Sequence, residues 1–193
     1  MPFNIPILLT WLRVALIPLV VGIFFLPDAW MTDYERGLSA TVVFVVAALT
    51  DWFDGYLARK LDQTSAFGAF LDPVADKLMV AGALLLLVQL GRTNAVIAFV
   101  IIGREIAITA LREWMAQIGA SKSVAVSSLG KIKTAAQMIA IPMLLYAYPL
   151  FGVIDTLFIG QRLVEVAALL TLWSMMYYLR RAWPLIKERH DLQ

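Results

Sequence analysis

The sequence predicts an all-α, polytopic membrane protein: a six-transmembrane-helix bundle. Three observations lead there. Hydrophobic residues make up 61% of the 193 positions, above the roughly 45–50% of a soluble domain, and the mean hydropathy is +0.80. Apolar runs near the roughly 20 residues that a crossing needs recur along the whole chain. Lysine and arginine collect in alternate connections, as they do in membrane proteins with cytoplasmic positive charge.

The first run, about Ile7 to Leu26, carries Arg13 and lacks the basic leader and small-residue cleavage site of a signal peptide, so it reads as retained. The next runs are about Leu38 to Leu57, Ala66 to Leu90, Ala95 to Met115, Ile132 to Tyr148 and Leu157 to Tyr178. Turn residues separate them at Pro27-Asp28, Gly91-Arg92-Thr93-Asn94 and Pro149 to Gly152. One side of the alternation carries Arg59, Lys60, Arg112, Lys122, Lys131, Lys133, Arg180, Arg181, Lys187 and Arg189, and the other only Arg36, Arg92 and Arg162. Both termini are therefore expected in the cytoplasm of a multi-pass membrane protein. No repeat, low-complexity run or long linker divides the chain, so residues 1–193 read as a single domain.

Cysteine is absent, and the only histidine is His190, in a charged tail beyond the last apolar run. Thiolate and histidine-rich metal sites are thereby set aside, and carboxylates remain, which suit magnesium or manganese. The net charge of +2 is scattered, without the basic stripe that a nucleic-acid partner requires.

The acids are concentrated. Asp51 and Asp54 lie three positions apart on one helical face at the cytoplasmic end of the second run, and Gly68, Asp72 and Asp76 follow at four-residue steps on the third. Pro73 could make Asp72 an N-cap, which would shorten that helix; a proline-kinked helix starting near Thr64 or Ser65 is the preferred expectation. Four repelling acids at one depth need counter-charge, and the only basic residues near them in sequence are Arg59, Lys60 and Lys77. Two divalent cations bridged by carboxylates from both helices would supply it. Gly55, Ala58 and Gly68 leave space on the same faces, for helix packing or for a nucleotide.

A second polar group follows. Arg104 enters an apolar run and needs a partner; Glu105 and Arg112, seven apart, could form an internal ion pair. Ser127 to Thr134 then adds Lys131, Lys133 and Thr134, with Gln137 one turn beyond. Arginine and lysine beside a metal site suit a small phosphorylated acceptor, although lysines at a span boundary also serve as plain anchors.

The pattern Asp51-x-x-Asp54-Gly55-x-x-Ala58-Arg59, eight residues, then Gly68-x-x-x-Asp72-x-x-x-Asp76 resembles the signature of the CDP-alcohol phosphotransferase family at every position. Beyond it, Asn4-Ile5-Pro6 with Leu9-Thr10 and Arg13, Arg104-Glu105 with Arg112-Glu113-Trp114, and Val124 to Ser127 with Gly130-Lys131-x-Lys133-Thr134-x-x-Gln137 resemble the bacterial branch that uses glycerol 3-phosphate. The resemblance implies a six-helix, homodimeric membrane enzyme. Asp51, Asp54, Asp72 and Asp76 would hold two Mg2+ or Mn2+ ions over the diphosphate of CDP-diacylglycerol. Asp76 would also be the catalytic base, and Thr10, Gly55, Ala58, Arg59 and Gly68 would border the donor. Arg104, Arg112, Lys131, Lys133 and Thr134 would bind glycerol 3-phosphate. Rival readings are another acceptor (inositol phosphate, serine or phosphatidylglycerol), an aspartate-rich prenyltransferase, and a cation transporter, which would need acids at mid-membrane depth.

Overall fold

The computed structural model describes residues 5–60, 66–119 and 128–190. Six α-helices follow in order: α1 (Ile5–Ile23), α2 (Asp33–Lys60), α3 (Ala66–Gln89), α4 (Ala95–Gln117), α5 (Ser128–Tyr146) and α6 (Thr156–His190). No strand of a sheet occurs among the described residues; the one β-type pairing is an isolated bridge between Leu150 and Ile154.

Local chemistry sets the ends of these helices. Thr32 and Glu35 form a reciprocal capping box that starts α2 at Asp33, before the first apolar residue. The Thr32 amide and hydroxyl donate to Glu35 Oε2 at 2.8 and 2.9 Å, and the Glu35 amide donates to Thr32 Oγ1 at 3.3 Å. Gly91, at φ +67°, ends α3 in a Schellman turn: the Arg92 amide donates to Leu87 O and the Gly91 amide to Val88 O. Asn94 then caps α4, accepting from the Val96 amide at 2.7 Å.

Two expectations about helix extent are corrected or decided here. α3 runs through Pro73 without stopping, and the Asp72 side chain reaches Thr10 on α1 rather than its own backbone. α6 continues past Tyr178 to His190, with Pro184 inside it, so His190 ends a helix instead of lying in a separate tail. Charged residues end an apolar run without ending a helix, because Arg, Lys and Glu are good helix formers. The expected start of the third helix at Thr64 or Ser65 lies outside the described residues.

The helices close a ring in the order α1, α2, α5, α6, α4, α3 and back to α1, and α3 also touches α5 across the middle. Small residues allow the closest approaches. A Cβ on Gly37 would lie 2.8 Å from Tyr146 O and 2.9 Å from Leu145 O, and one on Gly160 would lie 2.9 Å from Leu144 Cγ. The main core, including Phe44, Leu84, Leu87, Ile101, Ile141 and Leu144, fills the ring, and a smaller cluster of Ile108, Met115, Tyr178 and Ala182 joins α4 to α6.

Apolar side chains also cover the outside. Phe70, Phe99, Leu169, Trp173 and Trp183 are all exposed, more than an aqueous surface commonly tolerates in one molecule. Among the described residues, Thr156–Pro184 within α6 is long and apolar enough to cross a bilayer, and the apolar stretches Ile7–Ile23 and Ile132–Tyr146 are shorter. Arg36 and Arg92 are tied down at the end of the bundle where α2 begins. Arg36 is buried and pairs with Asp28 and Asp33 while donating to Leu26 O. Arg92 Nη1 donates to Leu144 O and Leu145 O at the end of α5.

Candidate active site

The antiparallel order brings the start of α1, the end of α2, the start of α3, the last half of α4, the start of α5 and the last half of α6 to one end of the ring. All the predicted site residues sit there. Asp54, Gly55, Ala58 and Arg59 are on α2 and Lys131 is on α5, but their side chains lie outside the described residues.

α1 joins the two aspartate helices from behind. Thr10 and Arg13 are one turn apart and both buried. Thr10 Oγ1 donates to Asp72 Oδ1 of α3 at 2.5 Å, while Arg13 Nη1 forms an ion pair with Asp51 Oδ1 of α2 at 2.5 Å. Arg13 is thus a counter-charge that proximity in sequence did not reveal. The cue was present in the chain, since an arginine within an apolar run needs a partner. Lys77, expected near the acids, donates to Pro73 O at 3.2 Å.

Asp51 and Asp76 line one cavity of about 360 Å³ together with Thr134 of α5. Among the described residues the rest of the lining is Phe44, Val45, Ala48, Leu49, Met79, Met138 and Pro142, none of them basic. Two acids facing an otherwise apolar space suit a hard cation, for which carboxylate oxygens are the proper donors. Asp72 is held at Thr10, and among the described residues no three carboxylates or histidines form a single metal-holding group. Gly68 lies on α3, one turn before Asp72.

A basic cluster lies between α4, α5 and α6. Lys133, buried, pairs with Glu105 Oε1, and Arg104 Nη1 reaches the same oxygen at 3.2 Å. Arg104 Nη2 also donates to Ser174 Oγ at 2.9 Å. Arg112 Nη2 donates to Tyr178 Oη at 3.2 Å. The proposed Glu105–Arg112 pair is therefore replaced by bonds from each residue to a different helix. In this cluster sequence reasoning did not place Ser174 or Tyr178, which carried no signal, and it placed Glu105 only as a partner for Arg112.

These four ionisable side chains comprise three cations, Arg104, Arg112 and Lys133, against the carboxylate of Glu105. Two positive charges remain in excess, close to the roughly −1.5 to −2 of a phosphate monoester at neutral pH. Thr134, the next residue after Lys133, lines the acidic cavity. The start of α5 therefore borders both groups.

Comparison with known proteins places the chain in a family. Residues 3–178 match the CDP-alcohol phosphatidyltransferase family. Proteins called CDP-diacylglycerol--glycerol-3-phosphate 3-phosphatidyltransferase are similar over nearly the full length. One from Shigella flexneri serotype 5b is 50% identical over 94% of this chain and 96% of its own. One from Pectobacterium atrosepticum is 50% identical over 100% of this chain and 98% of its own. One from Salmonella typhimurium is 50% identical over 94% and 96%. With a family match across most of its length and relatives at this identity, the chain belongs to the CDP-alcohol phosphatidyltransferases.

Proposed function

We propose that the chain is a transferase of phospholipid synthesis that moves the phosphatidyl group of CDP-diacylglycerol to glycerol 3-phosphate, giving phosphatidylglycerophosphate and CMP. The observation that carries this reading is the pairing of an acidic cavity with a cluster holding two excess positive charges, both bordered by the consecutive residues Lys133 and Thr134. The first suits a metal-bound diphosphate and the second a phosphorylated alcohol; a neutral acceptor such as serine would leave the cationic excess unmatched. The printed names of relatives that share half of its residues favour the same acceptor.

Asp51, Asp54, Asp72 and Asp76 are the residues that would hold two magnesium or manganese ions. Bound there, the ions supply positive charge to the diphosphate and to the departing CMP. Thr10, through Asp72, and Arg13, through Asp51, hold two of those carboxylates in place. Gly55, Ala58, Arg59 and Gly68 border the donor. Arg104, Arg112, Lys131, Lys133 and Thr134 bind glycerol 3-phosphate and orient its primary hydroxyl, which is most of what an enzyme must do in a phosphoryl transfer. Asp76 takes the hydroxyl proton, the oxygen bonds to the phosphatidyl phosphorus, and the bond to CMP breaks.

The six helices cross the bacterial inner membrane as one domain, with both termini and the site on the cytoplasmic side, and two copies form a homodimer. The exposed apolar surface supports this placement. So does the distribution of lysine and arginine, which fall mainly at the site end and leave Arg36, Arg92 and Arg162 toward the other.

The test is incubation of purified protein with CDP-diacylglycerol, magnesium and each of glycerol 3-phosphate, serine, inositol phosphate and phosphatidylglycerol, with the lipid product identified by mass. Phosphatidylglycerophosphate should form alone, and chelation of magnesium should stop it. Asp76→Asn should abolish CMP release; near wild-type release from that variant with metal present would remove the base assignment. Metal flux in proteoliposomes without CMP release would favour transport instead.

A further inference from the structure

Tyr178 is fully buried and lies in the smaller core cluster that joins α4 to α6. Its ring carries two cations. The guanidinium carbon of Arg104 is 5.6 Å from the ring centroid and that of Arg112 is 5.2 Å away, both within reach of the aromatic quadrupole. Arg112 Nη2 donates to the hydroxyl of the same ring. Ser174, one turn earlier on α6, accepts from Arg104 and itself donates to Thr171 O at 2.9 Å.

Arg104 and Arg112 are eight residues apart on α4, a rise of about 12 Å. Left to rotamer preference, two like charges at that spacing would diverge into solvent or lipid headgroups. Here both heads converge on one tyrosine, at a cost in repulsion that a bound dianion would relieve.

From this geometry we infer that Tyr178 is the positioning residue of the acceptor site, a buried platform against which Arg104 and Arg112 are both held for binding a phosphate monoester. The inference rests on the reading that these arginines bind the acceptor phosphate. Ring and hydroxyl have separable parts in it: the ring holds both guanidiniums, and the hydroxyl orients Arg112 alone.

Steady-state kinetics of the purified full chain separate the parts. Tyr178→Phe keeps the platform and removes one hydrogen bond, so KM for glycerol 3-phosphate should rise about threefold to tenfold. Tyr178→Leu removes both, and KM should rise about thirtyfold or more. For both variants KM for CDP-diacylglycerol should stay within about twofold of wild type, and competitive inhibition by inorganic phosphate should weaken in step with KM for the acceptor. Loss of packing alone would lower kcat or affect both substrates, without that split. Should Tyr178→Leu fail to fold, as a thermal melt would show, Tyr178→Met is read in its place. With Arg112→Gln raising acceptor KM, an unchanged value in Tyr178→Phe overturns the role of the hydroxyl, and an unchanged value in the folded aliphatic variant overturns that of the ring. Unchanged acceptor KM in Arg104→Gln and Arg112→Gln overturns instead the acceptor assignment on which it rests.

Discussion

Arg13 Nη1 on α1 lies 2.5 Å from Asp51 Oδ1 on α2, with the arginine side chain fully buried and the aspartate 45% exposed. A cation therefore already stands among the acids before any metal is considered. It fixes one oxygen of Asp51 and ties the first helix to the second. Breaking a buried pair commonly costs 3–5 kcal/mol, but solvent screens the half-exposed partner, so Arg13→Met should lower unfolding stability by about 1–3 kcal/mol. Denaturant unfolding in micelles measures it. Combining the change with Asp51→Asn should recover part of the loss, since no unpaired carboxylate remains.

Thr10 acts on the neighbouring helix in a different way, through a hydroxyl donated to Asp72. Thr10→Val preserves shape and removes the donor. Because hydrogen bonds to charged groups are worth about 1.5–3 kcal/mol, CMP release should fall about tenfold or more. Thr10→Ser should restore most of the rate, and an equal defect in both variants would count against the hydroxyl.

Gly37 predicts a packing limit. A Cβ there would meet two backbone carbonyl oxygens of α5 at 2.8 and 2.9 Å, and backbone cannot move aside as a side chain can. Gly37→Ala should cost about 1–3 kcal/mol, visible as a lower thermal midpoint. Gly22→Ala is the control, having nothing within 4 Å, and should be neutral or stabilising by up to about 1 kcal/mol through helix propensity.

The capping box of α2 predicts a pH dependence. The Thr32 amide and hydroxyl hold the Glu35 carboxyl below its ordinary pKa. A depressed carboxylate contributes stability above its unfolded value and loses that contribution as pH falls through the folded one. Hydrogen exchange in the first turn of α2, corrected for intrinsic rates, should therefore be slow at neutral pH and accelerate in the acid range below the ordinary glutamate value. In Glu35→Gln that acceleration should shrink, because the capping carboxylate no longer titrates, while Asp33 and Asp28 still pair with Arg36.

Much of the fold was legible because its determinants are local. Hydropathy marks the runs, Gly91 and Asn94 punctuate them, and the aspartates fall on shared faces through helical periodicity alone. The expected boundaries missed where polar residues continue a helix beyond its apolar part, as in Asp33 to Gly37 and after Tyr178.

The site was legible in composition and incomplete in wiring. Chain spacing identifies Asp51, Asp72, Asp76, Arg104 and Lys133 as ionisable residues needing partners, since isolated charge in an apolar run is costly wherever the chain goes. Which partner each one takes depends on helices far apart in sequence. Thr10 and Asp72 are separated by 62 positions, Glu105 and Lys133 by 28, and Arg112 and Tyr178 by 66. The amino-acid order thus dictated the helices, the acidic motif and the family, because those follow from short-range periodicity and side-chain type. Closure of the ring selected Arg13 for Asp51 and placed one tyrosine under two arginines, because such contacts exist only once distant helices share a face.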